Sequence, residues 1–214
     1  MDSDPYSKLR SFFESGRRLR FKKREMILRA GDIPSGIFYI KNGFVRQYII
    51  SKDGQELTTV IYKPDDLFPL MWGLNEQISN RYFEAMTSAE LYRVSKEKFI
   101  EFIKKEPEIL YKLTSRILNR LNAVSERLEY LAFGSAYAKV ASILLIIAQR
   151  LGEEKEGGVV IPFSLTHKDI AALTGITRET SSIEIKKLER AKIINWHNRT
   201  IINIKKLKEE SLLV

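Results

Sequence analysis

The segment TRETSSIEIKKL, residues 177–188, gathers side chains suited to reading another molecule rather than transforming one. At helical spacing Arg178, Glu179, Ser182, Ile183 and Lys186 leave the first turns on one side, while Ile176, Ser181, Ile185 and Leu188 point inward. A guanidinium donates in parallel to guanine O6 and N7, and a carboxylate accepts from cytosine N4. A helix that starts with Arg178-Glu179 therefore matches base edges in a DNA major groove. A solvated helical hairpin is the plainer reading of the same polar face. Other chemistries are poorly supplied. The chain has no cysteine, and its two histidines are His167 and His197. Disulfides, thiolate metal sites, iron–sulfur clusters and cysteine nucleophiles are excluded, and residues 1–166 hold no imidazole. Neither a metal site nor a cofactor is expected.

The elements around this segment must hold it in place. Thr166 is a good N-cap for a helix over 167–173, Ala171 lets a second helix cross closely, and Gly175 supplies the left-handed turn before a helix beginning at Thr177. Beyond it, residues 192–195 and 200–204 flank Trp196, His197, Asn198 and Arg199, which predicts two short strands and a wing bearing Arg199. Residues 135–214 are thus expected to form a winged helix-turn-helix domain, with an apolar helix over 138–151, a surface loop at 152–158 (GEEKEGG) and a short strand in VVIPF.

Residues 1–106 carry a different pattern. Lys41-Asn42-Gly43 and Lys52-Asp53-Gly54 separate the runs 37–40, 44–50 and 56–62, and such turns between alternating residues signal hairpins. Several short strands closing into a roll follow. Pro107 then suits the first turn of a long helix over 107–134. Along it Leu110, Leu113, Ile117, Leu121, Val124, Leu128 and Leu131 form an apolar stripe with one irregular step. The stripe predicts a seam for a second copy of the chain; the alternative is that it packs on its own roll. The fold class is α+β: an N-terminal double-stranded β-roll, a long dimerisation helix and a C-terminal winged helix-turn-helix.

With 214 residues and 44% hydrophobic content the chain can bury a real core, and no run approaches the roughly 18 apolar residues of a membrane span. The first residues lack the apolar stretch of a signal peptide, so a soluble cytoplasmic protein without a membrane partner is expected. The net charge of +9 is concentrated at the ends. Residues 1–30 hold nine Lys/Arg against four Asp/Glu, residues 31–134 fourteen against fourteen, and residues 135–214 thirteen against nine. Basic ends suit a polyanion such as double-stranded DNA. The cluster RRLRFKKRE, residues 17–25, is read either as a solvated strand edge guarded by cations or as a contact to flanking DNA.

RAGDIPSGIFYIKNGFVR, residues 29–46, and SLTHKDIAALTGITRETSSIEIKKLERAKII, residues 164–194, resemble the roll signature and the helix-turn-helix of the cyclic AMP receptor protein and fumarate–nitrate reductase regulator (CRP/FNR) family. The resemblance covers nearly the whole chain. It implies a cyclic-nucleotide-binding-like roll and a homodimeric transcription regulator, with RNA polymerase as a further partner and no enzymatic activity. It also implies that Arg178 and Glu179 read base edges and that Thr166 and Thr180 contact phosphate. Lys168, Thr177, Ser182, Lys186, Lys187 and Arg199 complete the expected DNA-binding set. A third reader, usually arginine, falls on Ile183, so the operator should depart from the common family consensus at one position of each half-site.

The same resemblance makes cyclic AMP a poor fit. Nucleotide-sensing members carry Gly-Glu and a downstream Arg followed by small residues; here Phe68-Pro69 replaces Gly-Glu, and Arg81 is followed by Tyr82 and Phe83. Haem and iron–sulfur sensing lack their usual ligands. Two readings stay open: a small apolar effector near Phe68, Leu70, Met71, Trp72, Arg81, Tyr82 and Phe83, or no effector, with these residues filling the roll. A cupin-like enzyme would need roll histidines, and a cyclic-nucleotide-binding regulatory subunit acting without DNA would lack residues 164–204.

Overall fold

The computed structural model describes residues 5–212. A first unit, Met1–Ile49 with Thr58–Asn119, and a second, Ile50–Leu57 with Arg120–Val214, divide the chain. The elements run α1 (Pro5–Glu14), β1 (Arg17–Phe21), β2 (Met26–Leu28), β3 (Ile37–Asn42), β4 (Val45–Ile50), β5 (Glu56–Tyr62), β6 (Leu67–Phe68), α2 (Leu70–Asn75), β7 (Tyr82–Ala85), β8 (Ala89–Val94), α3 (Lys96–Lys105) and α4 (Pro107–Phe133). Two four-stranded sheets, ordered β1-β8-β3-β6 and β2-β7-β4-β5, make the roll. Gly43, at φ +88°, closes the turn between β3 and β4; a Cβ there would sit 2.4 Å from the Ser88 carbonyl oxygen.

Strand β3 shows how the first unit is layered. Phe38 and Ile40 join Val45, Phe68, Phe83 and Leu91 inside the roll. Ile37 and Tyr39, on the other face, join Leu9 and Phe13 of α1, Phe99 and Ile103 of α3, and Ile109 and Leu113 of α4. With both faces covered, the strand reads as a continuous apolar run rather than an alternating one. Helix α1 is not expected from the sequence pattern; it forms because Leu9 and Phe13, four residues apart, give it one face to bury on this layer, whereas β1 falls in the cluster 17–25 and is the edge strand of its sheet.

Leu113 corrects the expected seam. It is 7% exposed and belongs to this cluster, so the first turns of α4 do pack on their own roll. Thr114 takes its place in the stripe: exposed, with its Oγ1 donating to the Leu110 carbonyl at 2.9 Å. Leu110, Thr114, Ile117, Leu121, Val124, Leu128 and Leu131 then follow alternating steps of four and three. The irregular step comes from assigning a core residue to the seam.

The roll also holds buried charge. Arg46 and Glu84 face each other across β4 and β7, with Nε–Oε1 and Nη2–Oε2 at 3.2 and 3.0 Å, and their side chains are 6% and 9% exposed. The Arg24 Nη1 adds a 3.2 Å contact to Glu84 Oε1, and the Arg46 guanidinium lies 4.2 Å from the centre of the Tyr48 ring.

The second unit continues with α5 (Ala136–Leu151), β9 (Glu153–Lys155), β10 (Gly158–Val160), α6 (His167–Thr174), α7 (Arg178–Arg190), β11 (Ile194–Asn195), β12 (Thr200–Ile201) and α8 (Ile204–Glu209). Val140, Leu144, Ile147 and Ala148 of α5 are buried under α6, α7 and α8. Two expectations are corrected here. Residues 153–160 pair as the hairpin β9–β10 in the sheet β11-β12-β10-β9, joined by the two-residue turn Glu156-Gly157 in which Gly157 adopts φ +92°. The last wing strand stops at Ile201; Asn203 caps α8, its Oδ1 accepting the Lys206 N–H at 2.9 Å. No described helix is long and apolar enough to cross a membrane.

Candidate nucleic-acid interface

Local chemistry fixes the two helices that carry the candidate face. Thr166 Oγ1 accepts the Asp169 N–H at 3.1 Å, while the Asp169 carboxylate accepts both the N–H and the O–H of Thr166 at 2.8 Å, a reciprocal capping box. The spacing of Thr166 and Asp169 is the signal for it. Both donors of Thr166 are committed inside the box, which corrects the expectation that its hydroxyl is available to phosphate. Gly175, at φ +70°, ends α6 and donates to the Ala171 carbonyl at 2.8 Å. The Arg127 Nη2 donates to the Leu173 carbonyl at 2.6 Å, a cation at the negative end of α6.

Thr177 caps α7, its Oγ1 accepting the Thr180 N–H at 3.1 Å and lying 2.9 Å from Thr180 Oγ1. Ser181, Ile185 and Leu188 are buried, as the spacing predicts, and Glu184 is buried with them. On the other face Arg178, Glu179, Ile183, Lys186 and Lys187 are exposed and Ser182 half-buried. Arg178, Glu179 and Lys186 engage no hydrogen bond or ion pair among the described residues. Two of the other cations are engaged: Lys187 Nζ is 2.9 and 2.8 Å from the Glu184 oxygens, and Lys168 Nζ is 3.0 Å from Glu56 Oε1, in the hairpin segment of the same unit. Arg199 is exposed in the wing at φ +56°. The wing is tied to the helices twice, by the Trp196 N–H donating to Glu189 Oε1 at 3.1 Å and by His167 stacked on Trp196 at 5.6 Å. Burial raises the pKa of the nearby Tyr137 phenol, with the Glu210 and Glu184 carboxylates adding to the rise.

The seven residues expected near an effector are not brought together. Phe68 and Phe83 stack at 5.1 Å inside the roll, with Phe38 and Tyr62 against Phe68 at 5.3 and 5.4 Å. Leu70 and Trp72 pack instead on the cluster around Phe13 and Phe99, and Met71 is exposed. Tyr82 stacks on Tyr48, and Arg81 donates to Thr59 Oγ1 at 3.4 Å.

Compared with known families, residues 18–106 match the cyclic nucleotide-binding domain and residues 138–210 the Crp-like helix-turn-helix domain. The chain belongs to the CRP/FNR family of transcription regulators. It is 27% identical over 186 residues to the cAMP-activated global transcriptional regulator CRP of Salmonella typhimurium, covering 86% of this chain and 87% of that protein. It is 28% identical over 187 residues to the nitrogen fixation regulation protein FixK of Bradyrhizobium diazoefficiens, covering 86% and 76%. A solved CRP/FNR-family regulator from Thermus thermophilus superposes with a TM-score of 0.73 at 27% identity, covering 91% and 97% of the two chains. In this CRP/FNR chain, then, α6 and α7 are the DNA-binding helix-turn-helix, and β11, β12 and the turn between them are its wing.

Proposed function

We propose that the chain acts as a homodimer that sets two copies of α7 into successive major grooves of a pseudo-palindromic operator. Arg178 and Glu179 read base edges, while Thr177, Thr180, Ser182, Lys186 and Arg199 contact phosphate and sugar. At Thr166 the phosphate contact passes to backbone N–H groups in the first turn of α6. Lys168 and Lys187 join only by exchanging a carboxylate for a phosphate. The observation that carries the reading is the pair Arg178-Glu179, exposed at a capped helix start with no partner among the described residues. The 4-3 stripe from Leu110 to Leu131 supports a second copy as the occupant of α4's open face. RNA polymerase is the further partner of a promoter-bound regulator in this reading.

Operator binding in this reading needs neither cyclic AMP, haem nor an iron–sulfur cluster. The residues do not fit a cyclic nucleotide: Phe68 stands in the aromatic stack, Pro69 has no N–H to offer a phosphate, and Arg81 is engaged with Thr59. Fluorescence anisotropy with genomic fragments, with and without cyclic AMP, tests the whole reading when paired with sedimentation. Specific binding by a dimer, unchanged by the nucleotide, is expected. A monomer at binding concentrations, or affinity that appears only with cyclic AMP, contradicts it.

A further inference from the structure

The exposed face of α7 contains one large apolar side chain. Ile183 is 55% exposed, while Ser181 and Glu184, both polar, are buried on the same helix. This inverts the usual amphipathic arrangement. The inversion is forced by the rotation of the helix: Ile183 and Ile185 lie about 200° apart around the axis, so both cannot face the core. Ile185 and Leu188 occupy it, and Ile183 is left outside. There it lies one turn beyond Glu179, on the side that carries Arg178 and Lys186.

An exposed isoleucine gains nothing from hydrogen-bonding edges or phosphates. Within a major groove one base substituent is apolar, the 5-methyl group of thymine. We infer that Ile183 is a specificity-determining residue that reads the 5-methyl of one thymine in each half-site, beside the pairs read by Arg178 and Glu179. The inference rests on the proposed placement of α7 in the groove. It adds a chemical consequence: cytosine methylated at C5 presents the same group, and uracil in place of thymine removes it while leaving every hydrogen bond intact. Burial of a single methyl sets the size, about fourfold in affinity per half-site and about fifteenfold over both.

The test uses the full chain and the operator it selects from random duplex DNA. Each thymine is replaced in turn by deoxyuridine, and wild type is compared with Ile183→Ala, whose exposed position keeps the fold intact. One thymine per half-site should cost wild type about fourfold on demethylation and cost the variant nothing, with the Arg178 and Glu179 preferences retained in both. At that position 5-methylcytosine should bind wild type better than cytosine does. Indifference of wild type to every thymine methyl overturns the inference, as does a uracil penalty undiminished in Ile183→Ala; in either case a selected operator leaves the reading of α7 standing. A wild-type chain that selects no sequence overturns that reading and this inference together.

Discussion

The interior of the roll and the outer face of α7 treat polar groups in opposite ways. Between the sheets, Phe38, Phe68 and Phe83 stack face to face and Tyr62 donates its hydroxyl to Gln47 Oε1 at 2.7 Å, and on the opposite face of β4 and β7 Arg46 and Glu84 form a buried two-point ion pair. On α7, Arg178, Glu179 and Lys186 are exposed without partners among the described residues, and an isoleucine faces out beside them. A region that holds a fold together commits its donors and acceptors internally. A region that recognises a partner leaves them uncommitted. Substitutions should therefore separate cleanly, with roll variants changing stability and α7 variants changing DNA selection.

The largest effect is expected from Glu84→Ala, which leaves the Arg46 guanidinium buried without its carboxylate and should cost about 3–5 kcal/mol in chemical denaturation. Replacing both partners by apolar residues should recover most of that loss; if it does not, the pair itself stabilises the roll. Phe68→Ala removes the middle ring of the stack and should cost a similar or slightly smaller amount, about 3–5 kcal/mol, while leaving the selected operator unchanged. An altered operator preference in that variant would break the comparison.

The α7 variants should behave the other way. Arg178→Ala should shift unfolding by no more than about 0.5 kcal/mol, since the side chain is exposed and forms no hydrogen bond or ion pair among the described residues. It should lose about 1–3 kcal/mol of binding per half-site and relax one base preference. Lys186→Gln should weaken binding to all sequences alike and reduce the salt slope of log affinity by about 1 per protomer, read by titration at several salt concentrations.

The smallest expected effect is on pH dependence. The Arg18 guanidinium donates to Glu90 Oε2 at 2.5 Å and holds its carboxyl below the ordinary value of 4.5; Lys96 and Lys105 do the same for Glu76 and Glu101. A carboxyl whose pKa is depressed on folding stabilises above its unfolded value, and the contribution disappears as pH falls through the folded value. These exposed pairs should leave stability flat from neutral pH down to about 5 and contribute a shallow loss below 4.5. Glu90→Gln should flatten part of that decline in a denaturation series.

Much of this comparison is legible in the sequence, because turns and caps are local. Asn42-Gly43, Asp53-Gly54, Gly175 and the caps at Thr166 and Thr177 mark the hairpins and the helix-turn-helix through backbone requirements that few residues satisfy. Features that depend on distant partners are hidden. Leu113 looks like its neighbours in the stripe, and only its place in the buried cluster with Phe13 and Phe99 separates it from the exposed stripe that Thr114 joins. Strand β9 is polar because its side chains are exposed, so its composition resembles a loop. The effector residues fail for the same reason: Phe68, Leu70 and Met71 are near neighbours in sequence, yet they enter the roll, the helical layer and solvent respectively. For α7 the helical spacing suffices to separate most exposed residues from inward ones, whereas the commitment of Thr166 to its capping box, the burial of Glu184 and the capture of Lys168 and Lys187 by Glu56 and Glu184 require the structure.

The central claim is that the uncommitted face of α7 reads DNA sequence. Selection from a random duplex library by wild type and by Arg178→Ala, side by side, tests it most directly. The account predicts that wild type enriches a two-fold-symmetric motif with half-sites about 10–10.5 base pairs apart, and that the variant loses preference at one position in each half. Identical motifs from both proteins, or an equal loss of affinity on selected and random DNA, would contradict it.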